Sequence, residues 1–133
     1  MEKDFDNWNI KKKKISQREE EILFHEREVW WCALGVNIGF EQDGKNDNFE
    51  RPVLVMKKFN RDVLLVLPLT RSNKSNKYYY RLKQGKERDS VVILSQIRLI
   101  SSKRLLRKMR MIAQSEFNEI NEKIKKFFPE KQK

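Results

Sequence analysis

Pro52-Val53-Leu54-Val55-Met56, the turn signal Asn60-Arg61-Asp62 and Val63-Leu64-Leu65-Val66-Leu67 follow one another closely. Two runs of β-forming apolar residues on either side of a polar turn read as neighbouring strands. The second run is apolar without a break, as in a strand buried on both faces. Working outward, Val29-Trp30-Trp31-Cys32-Ala33-Leu34 reads as an earlier, aromatic-rich strand. Tyr78-Tyr79-Tyr80-Arg81-Leu82 and Val91-Val92-Ile93-Leu94 complete a set of five, and Met109–Ile112 offers a sixth. Short strands at this spacing, separated by Gly, Pro and Asn, predict a small, strongly bent antiparallel barrel. In alternating strands Trp30 and Trp31 face opposite sides: one is assigned to the core, the other to an interface or the N-terminal helix. By the same alternation at least one of Tyr78–Tyr80 belongs to the core or an interface.

Past residue 100 the pattern becomes helical. Ser101-Ser102 can cap a short turn over 103–106. Ser115 opens an amphipathic helix with Phe117, Ile120, Ile124 and Phe127 on one face. Glu116 and Glu119 near its start and Lys123, Lys125 and Lys126 near its end suit the helix dipole, and Pro129 stops it. At the other end, residues 1–14 read as a polar arm closing on Lys11-Lys12-Lys13-Lys14, a run assigned to a solvated segment rather than a dedicated site. Ser16 and Glu19 have capping-box spacing, which predicts a short helix over 16–25. Two connections stand out: a long one over 35–51 carrying Gly35, Gly39 and Gly44, and the wholly polar Arg71–Lys77. Connections as long as the first in a small domain are functional or disordered.

The chain has 133 residues, enough for one domain and one core. Its 30 Lys+Arg against 19 Asp+Glu give +11. Residues 1–28 hold seven Lys/Arg and eight Asp/Glu, or −1, so the remainder carries 23 − 11 = +12. A patterned body this basic is an electrostatic footprint for a polyanion such as RNA or DNA. One cysteine, Cys32, excludes an internal disulfide and a multi-cysteine metal site, and one histidine, His25, excludes a His-based metal triad. No apolar stretch approaches the roughly 20 residues needed to cross a bilayer. Met1-Glu2-Lys3-Asp4 lacks a signal core, and the expectation is a reducing cytoplasm.

The order of these segments carries a resemblance. Arg27-Glu28-Val29-Trp30, then Gly39-Phe40-Glu41-Gln42-Asp43-Gly44, then Arg51-Pro52-Val53-Leu54-Val55, resembles the PemK/MazF toxin family. The likeness continues through Leu67-Pro68-Leu69-Thr70, Asp89-Ser90-Val91 and Gln96-Ile97-Arg98 to the closing helix, over roughly residues 27–127. It implies an α+β fold: an SH3-like, strongly bent antiparallel β-barrel of five to six strands, with a C-terminal helix and here an N-terminal helical extension. The chain then divides into a charged extension (1–26), the barrel domain (27–128) and a polar tail (129–133). The resemblance implies a metal-independent, sequence-specific endoribonuclease with no cofactor, working as a homodimer on single-stranded RNA and silenced by a cognate antitoxin, with no membrane partner.

Cleaving RNA without a metal requires the ribose 2′-OH to attack the adjacent phosphorus. The enzyme must help remove the hydroxyl proton, neutralise the phosphorane-like transition state and protonate the leaving 5′-oxygen. A guanidinium suits the second task, because its planar donors match phosphate oxygens. Arg51 ends the long loop at a strand start, where an ordinary surface arginine would also sit. Thr70 ends the most apolar strand, where a threonine is commonly a turn former. The resemblance makes Arg51 and Thr70 the catalytic pair. It places Glu41 and Gln42 on a loop that shapes the site and contacts substrate, Glu41 being open to a role as base or as partner of a lysine. Phe40, on the same loop, is a candidate for stacking a base, and Gly44 is counted with the substrate contacts. Arg71, Lys74, Lys77 and Gln96 complete the expected substrate contacts. Phe40 and Ser95 stand where some relatives have a His and an acidic residue, so a mechanism using those two groups does not transfer. Two readings compete: a CcdB-like gyrase poison on the same scaffold, and a basic RNA-binding module without the chemistry.

Overall fold

The computed structural model describes residues 3–35, 49–71, 75–83 and 90–128. Seven strands are present among them: β1 (Glu28–Ala33), β2 (Glu50–Lys58), β3 (Val63–Thr70), β4 (Tyr79–Arg81), β5 (Val91–Ile93), β6 (Arg98–Ser101) and β7 (Leu105–Met111). Helix α1 (Phe5–Ser16) precedes them and α2 (Gln114–Lys125) follows. All pairings are antiparallel, in the order β4-β5-β3-β2-β1-β7, with β6 paired to β3. This is the expected α+β fold with seven strands in place of five or six. The added one, β6, is four residues long, and the Ser101-Ser102 turn separates it from β7, which begins earlier than Met109. Ser101 does cap that turn, accepting from the Lys103 amide.

Strand β3 buries side chains on both faces, although Val63 and Leu65 of its apolar run are only half-buried. Leu67 and Leu69 join Val29, Leu54, Tyr80, Val92, Phe117 and Ile120 in one cluster, roofed by α2. Leu64 and Val66 join Phe24, Trp30, Cys32, Val53, Val55, Ile100 and Leu105 in the other. The two clusters lie on opposite faces of the sheet. Register shifts between β1 and β7 and within β2–β3, where Met56 is bulged out, supply local kinks. Strand β3 also changes partner along its length, pairing with β6 over Val63–Val66 and with β5 over Leu69–Thr70.

Helix α2 begins at Gln114 without a side-chain cap and buries Phe117 and Ile120, while Ile124 and Phe127 pack at the edge of the core. Tyr80 is the core tyrosine and donates its hydroxyl to Glu119 on α2, whereas Tyr78 is exposed against Phe127. Trp30 enters the core, and its indole N–H reaches Glu28 at 3.0 Å. Trp31 is half-buried, with the Arg107 guanidinium 5.0 Å above its ring.

The N-terminal segment differs from the expectation. The helix spans 5–16, through the lysine run, and residues 18–25 are not helical. Asp4, not Ser16, is the cap, accepting from the Asn7 amide at 3.2 Å. The seam that holds the helix is Trp8 and Ile15, one heptad apart, buried against Ala33 with Phe49 and Leu106 alongside. A capping box at Ser16 competes with this burial and loses. Residues 18–25 instead run along the sheet, burying Phe24 completely.

Candidate active site

Strands β2 and β3 pair Val53 with Pro68 and Leu54 with Leu67. Continued by two residues, that register sets Arg51 opposite Thr70, at the sheet end where the connection over 36–48 meets β2. Arg51 is 5% exposed and Thr70 8%. The Arg51 Nη1 donates to the Leu69 carbonyl at 2.9 Å, which ties the guanidinium to the last turn of β3. Pro52 follows immediately inside β2 and fixes the backbone behind it. A buried guanidinium held in this way is a fixed array of donors, of the kind that neutralises and orients a phosphate group.

Across the sheet the same level continues from Arg51 to Cys32 on β1 and from Cys32 to Leu105 on β7. Burial pushes the Cys32 thiol up to about 12, against the opposing pull of Arg104 and Arg98. Those two arginines therefore stand close to the row that contains Arg51. Burial likewise lowers the Arg104 guanidinium below its ordinary value, and Arg104 donates to the Ala33 carbonyl at 3.1 Å. Neither was singled out from sequence. The available signal was the spacing of Arg98 two residues before Ile100, which puts both side chains on one face of a strand.

The remaining expected contacts divide. Arg71 directly follows Thr70 and is exposed. Gln96 lies in the 3-10 turn Leu94–Gln96, which spans the gap between the β5 and β6 pairings of β3, so it sits along the edge of β3 a few residues from Thr70. Lys77 sits on the turn before β4, with its ammonium 5.1 Å from the Tyr78 ring, at the far end of the β4–β5 ladder from Thr70. Phe40, Glu41, Gln42, Gly44 and Lys74 lie outside the described residues. His25 is not beside the pair: its ring is exposed and lies 3.5 Å from Glu28, at the opposite end of β1 from Cys32. Among the described residues no cluster of three or more His, Cys, Asp or Glu is arranged to hold a metal ion. No helix there is long and apolar enough to cross a membrane.

With this geometry in hand, comparison with known proteins is informative. The profile of the PemK-like, MazF-like toxins of type II toxin–antitoxin systems matches residues 25–128. No curated protein matches the chain in sequence. Among solved structures, MazF from Deinococcus radiodurans is similar with a TM-score of 0.63 at 17% identity, over 80% of this chain and 96% of that one. An endoribonuclease of a mycobacterial species, in complex with its cognate antitoxin, gives 0.60 at 13% identity, over 82% and 100%. The MazE–MazF complex from D. radiodurans gives 0.58 at 13%, over 83% and 99%. At such identities the likeness is one of fold. Helix α1 precedes the matched region.

Proposed function

Because the chain belongs to the PemK-like, MazF-like toxins of type II toxin–antitoxin systems, we propose that it is an endoribonuclease that cuts single-stranded RNA with Arg51 and Thr70 at the cleavage site. The observation that carries this is the buried Arg51 guanidinium, anchored on the Leu69 carbonyl, one residue before the buried Thr70. In the reaction the 2′-OH attacks the neighbouring phosphorus and its proton departs to a base. The bond to the 5′-oxygen breaks and that oxygen takes up a proton from an acid or from water, leaving a 2′,3′-cyclic phosphate and a 5′-hydroxyl. Arg51 holds the non-bridging oxygens as their charge grows, a contribution made chiefly in the transition state. Thr70 donates to one of those oxygens or to the attacking group. The basic surface draws RNA in, and Arg71 and Gln96 border the path at the edge of β3.

A cognate antitoxin with an acidic segment covering this surface, a homodimeric toxin and a cytoplasmic setting accord with the family and with the charge of +11. The test is cleavage of a long, defined single-stranded RNA in excess EDTA, with Arg51→Ala as the parallel protein. Discrete fragments with cyclic phosphate ends from the native protein and none from the variant support the reading. Binding without cleavage by both proteins overturns it.

A further inference from the structure

On one flank of α1 the chain forms a cavity of about 510 Å³, lined by Trp8, Lys12, Lys13, Ile15 and Ser16 from the helix and by Ser101, Lys103 and Arg104 from the β6–β7 corner. We propose that this cavity binds the phosphodiester backbone of the RNA substrate a few nucleotides from the cleaved bond, so that α1 lengthens the binding surface of the toxin. The proposal rests on the endoribonuclease reading and adds a subsite to it.

Three observations converge. The cavity is preformed: Lys103 Nζ donates to the Ser16 carbonyl at 2.9 Å, and Arg18 Nη1 donates to the carbonyls of Lys103 and Leu105 at 2.8 and 2.9 Å. These bonds bolt the end of α1 to the β6–β7 corner, and Trp8 is buried beneath it with Arg104 above its ring at 5.7 Å. The lining is cationic without a counter-charge, since four of its residues are Lys or Arg and none is acidic. Among the described residues the ion pairs formed by basic side chains are elsewhere, such as Arg107 with Glu50 and Lys108 with Glu28. Concentrating cations around a cavity with two hydroxyls raises the local potential for a phosphate group.

The third observation is location. Arg104 belongs to the cavity wall and also donates to the carbonyl of Ala33 at 3.1 Å, next to Cys32, whose strand partner is Arg51. From Thr70 through Arg51 and Cys32 to Leu105 is three inter-strand steps, roughly 14 Å at the usual strand spacing. A strand of RNA with its reacting phosphate at Arg51 and Thr70 thus needs only a few further nucleotides, across β1 and β7, to place a phosphate at the α1 cavity. The lysine run read from sequence as a solvated segment becomes a folded wall, with Lys12 and Lys13 directed to this cavity.

The test is fluorescence anisotropy of the full chain with 2′-O-methyl RNAs, which bind but cannot be cut, in a short and a longer length. Lys12 and Lys13 are exposed on a helix, so Lys12→Glu/Lys13→Glu leaves the fold in place, as an unchanged melting curve verifies. Lys123→Glu on α2 with Lys126→Glu at its C-cap carries the same change of net charge on a helix that packs against the other core cluster and contributes nothing to the cavity lining. The expected result is at least a tenfold loss of affinity by the α1 variant on the long RNA, little loss on the short one, and little effect of the α2 variant on either. The salt slope on the long RNA flattens by about 1.4 for two lost phosphate contacts on a single strand. On cleavable RNA the α1 variant raises KM and leaves kcat unchanged. Equal losses from both variants, or equal losses on both lengths, overturn the proposal. So does an α1 variant that keeps its RNA affinity but escapes competition by a Glu- and Asp-rich peptide, which assigns the cavity to an acidic protein segment instead. A native protein that binds with this length dependence yet cuts no RNA refutes the nuclease reading and leaves the subsite standing.

Discussion

Trp8 lies so closely on Gly35 that a Cβ at position 35 would meet Trp8 Cε2 at 1.9 Å. Gly35 also has φ of +74°, a region costly for residues with a side chain, and its amide donates to the Phe49 carbonyl at 3.1 Å. Helix α1 is therefore seated on the two residues that flank the connection over 36–48. Gly35→Ala imposes the left-handed cost of about 1–2 kcal/mol and a clash with a ring enclosed by Phe49 and Arg104. Urea unfolding of the variant is expected to show a loss of at least about 2 kcal/mol from the two sources together. A loss under about 0.5 kcal/mol would mean that Trp8 does not rest on Gly35 in solution.

Arg51 and Thr70 call for substitutions that separate chemistry from folding. Arg51→Ala is expected to abolish cutting but also removes the guanidinium donor from the Leu69 carbonyl, a loss of about 1–3 kcal/mol. Arg51→Lys keeps a cation there while losing the planar fork, so kcat is expected to drop by about 10²-fold or more with RNA affinity nearly kept. Thr70→Val keeps the shape and removes the hydroxyl, and a fall of at least about tenfold in kcat is expected. Single-turnover cleavage beside RNA binding reads both. Full activity in Arg51→Lys would show that only charge matters at this position.

Much of the fold is legible because burial leaves a periodic trace. The unbroken run Val63–Leu67 announces a strand between two cores, and Phe117, Ile120, Ile124 and Phe127 announce one helical face. The proposed pair Arg51 and Thr70 came from the resemblance alone, since an arginine at a strand start and a threonine at a strand end carry no periodic signal of their own. Strand β6 was not legible because Ile97 and Leu99 are exposed while Arg98 is half-buried, which inverts the usual alternation. Helix α1 was hidden for a related reason. Its mean character is polar, and its buried side chains are Trp8 and Ile15, whose contacts with Gly35 and Leu106 lie far away in sequence.

Cys32 tests the packing beneath the candidate site. It is fully buried, and burial pushes its thiol up to about 12, so almost no thiolate exists at neutral pH. The native protein at pH 8 is expected to resist a thiol reagent such as DTNB for hours and to react within minutes in denaturant. Rapid labelling of the folded protein would show that the sheet end beside Arg51 opens readily.

Glu28 predicts how stability depends on pH. It is 2% exposed and its carboxylate accepts from Lys108 Nζ at 2.9 Å, from the Trp30 indole at 3.0 Å and from the His25 amide at 2.7 Å. Burial alone raises the Glu28 pKa, yet these hydrogen bonds together outweigh it and hold the carboxyl below its ordinary value. A depressed carboxyl contributes stability that is complete above the unfolded value, near 4.3, and that disappears as the pH falls through the folded value. Glu28→Gln is accordingly expected to cost about 1–3 kcal/mol at pH 7, where it deprives Lys108 of its anion. The gap between variant and native protein should narrow as the pH drops below about 4. The His25 ring, 3.5 Å from the carboxylate, is the other titratable neighbour, so both proteins are compared in a His25→Gln background. Urea midpoints at pH 7, 5, 4 and 3 give the answer. A gap that stays constant from pH 7 to pH 3 would show that Glu28 contributes through its shape rather than its charge.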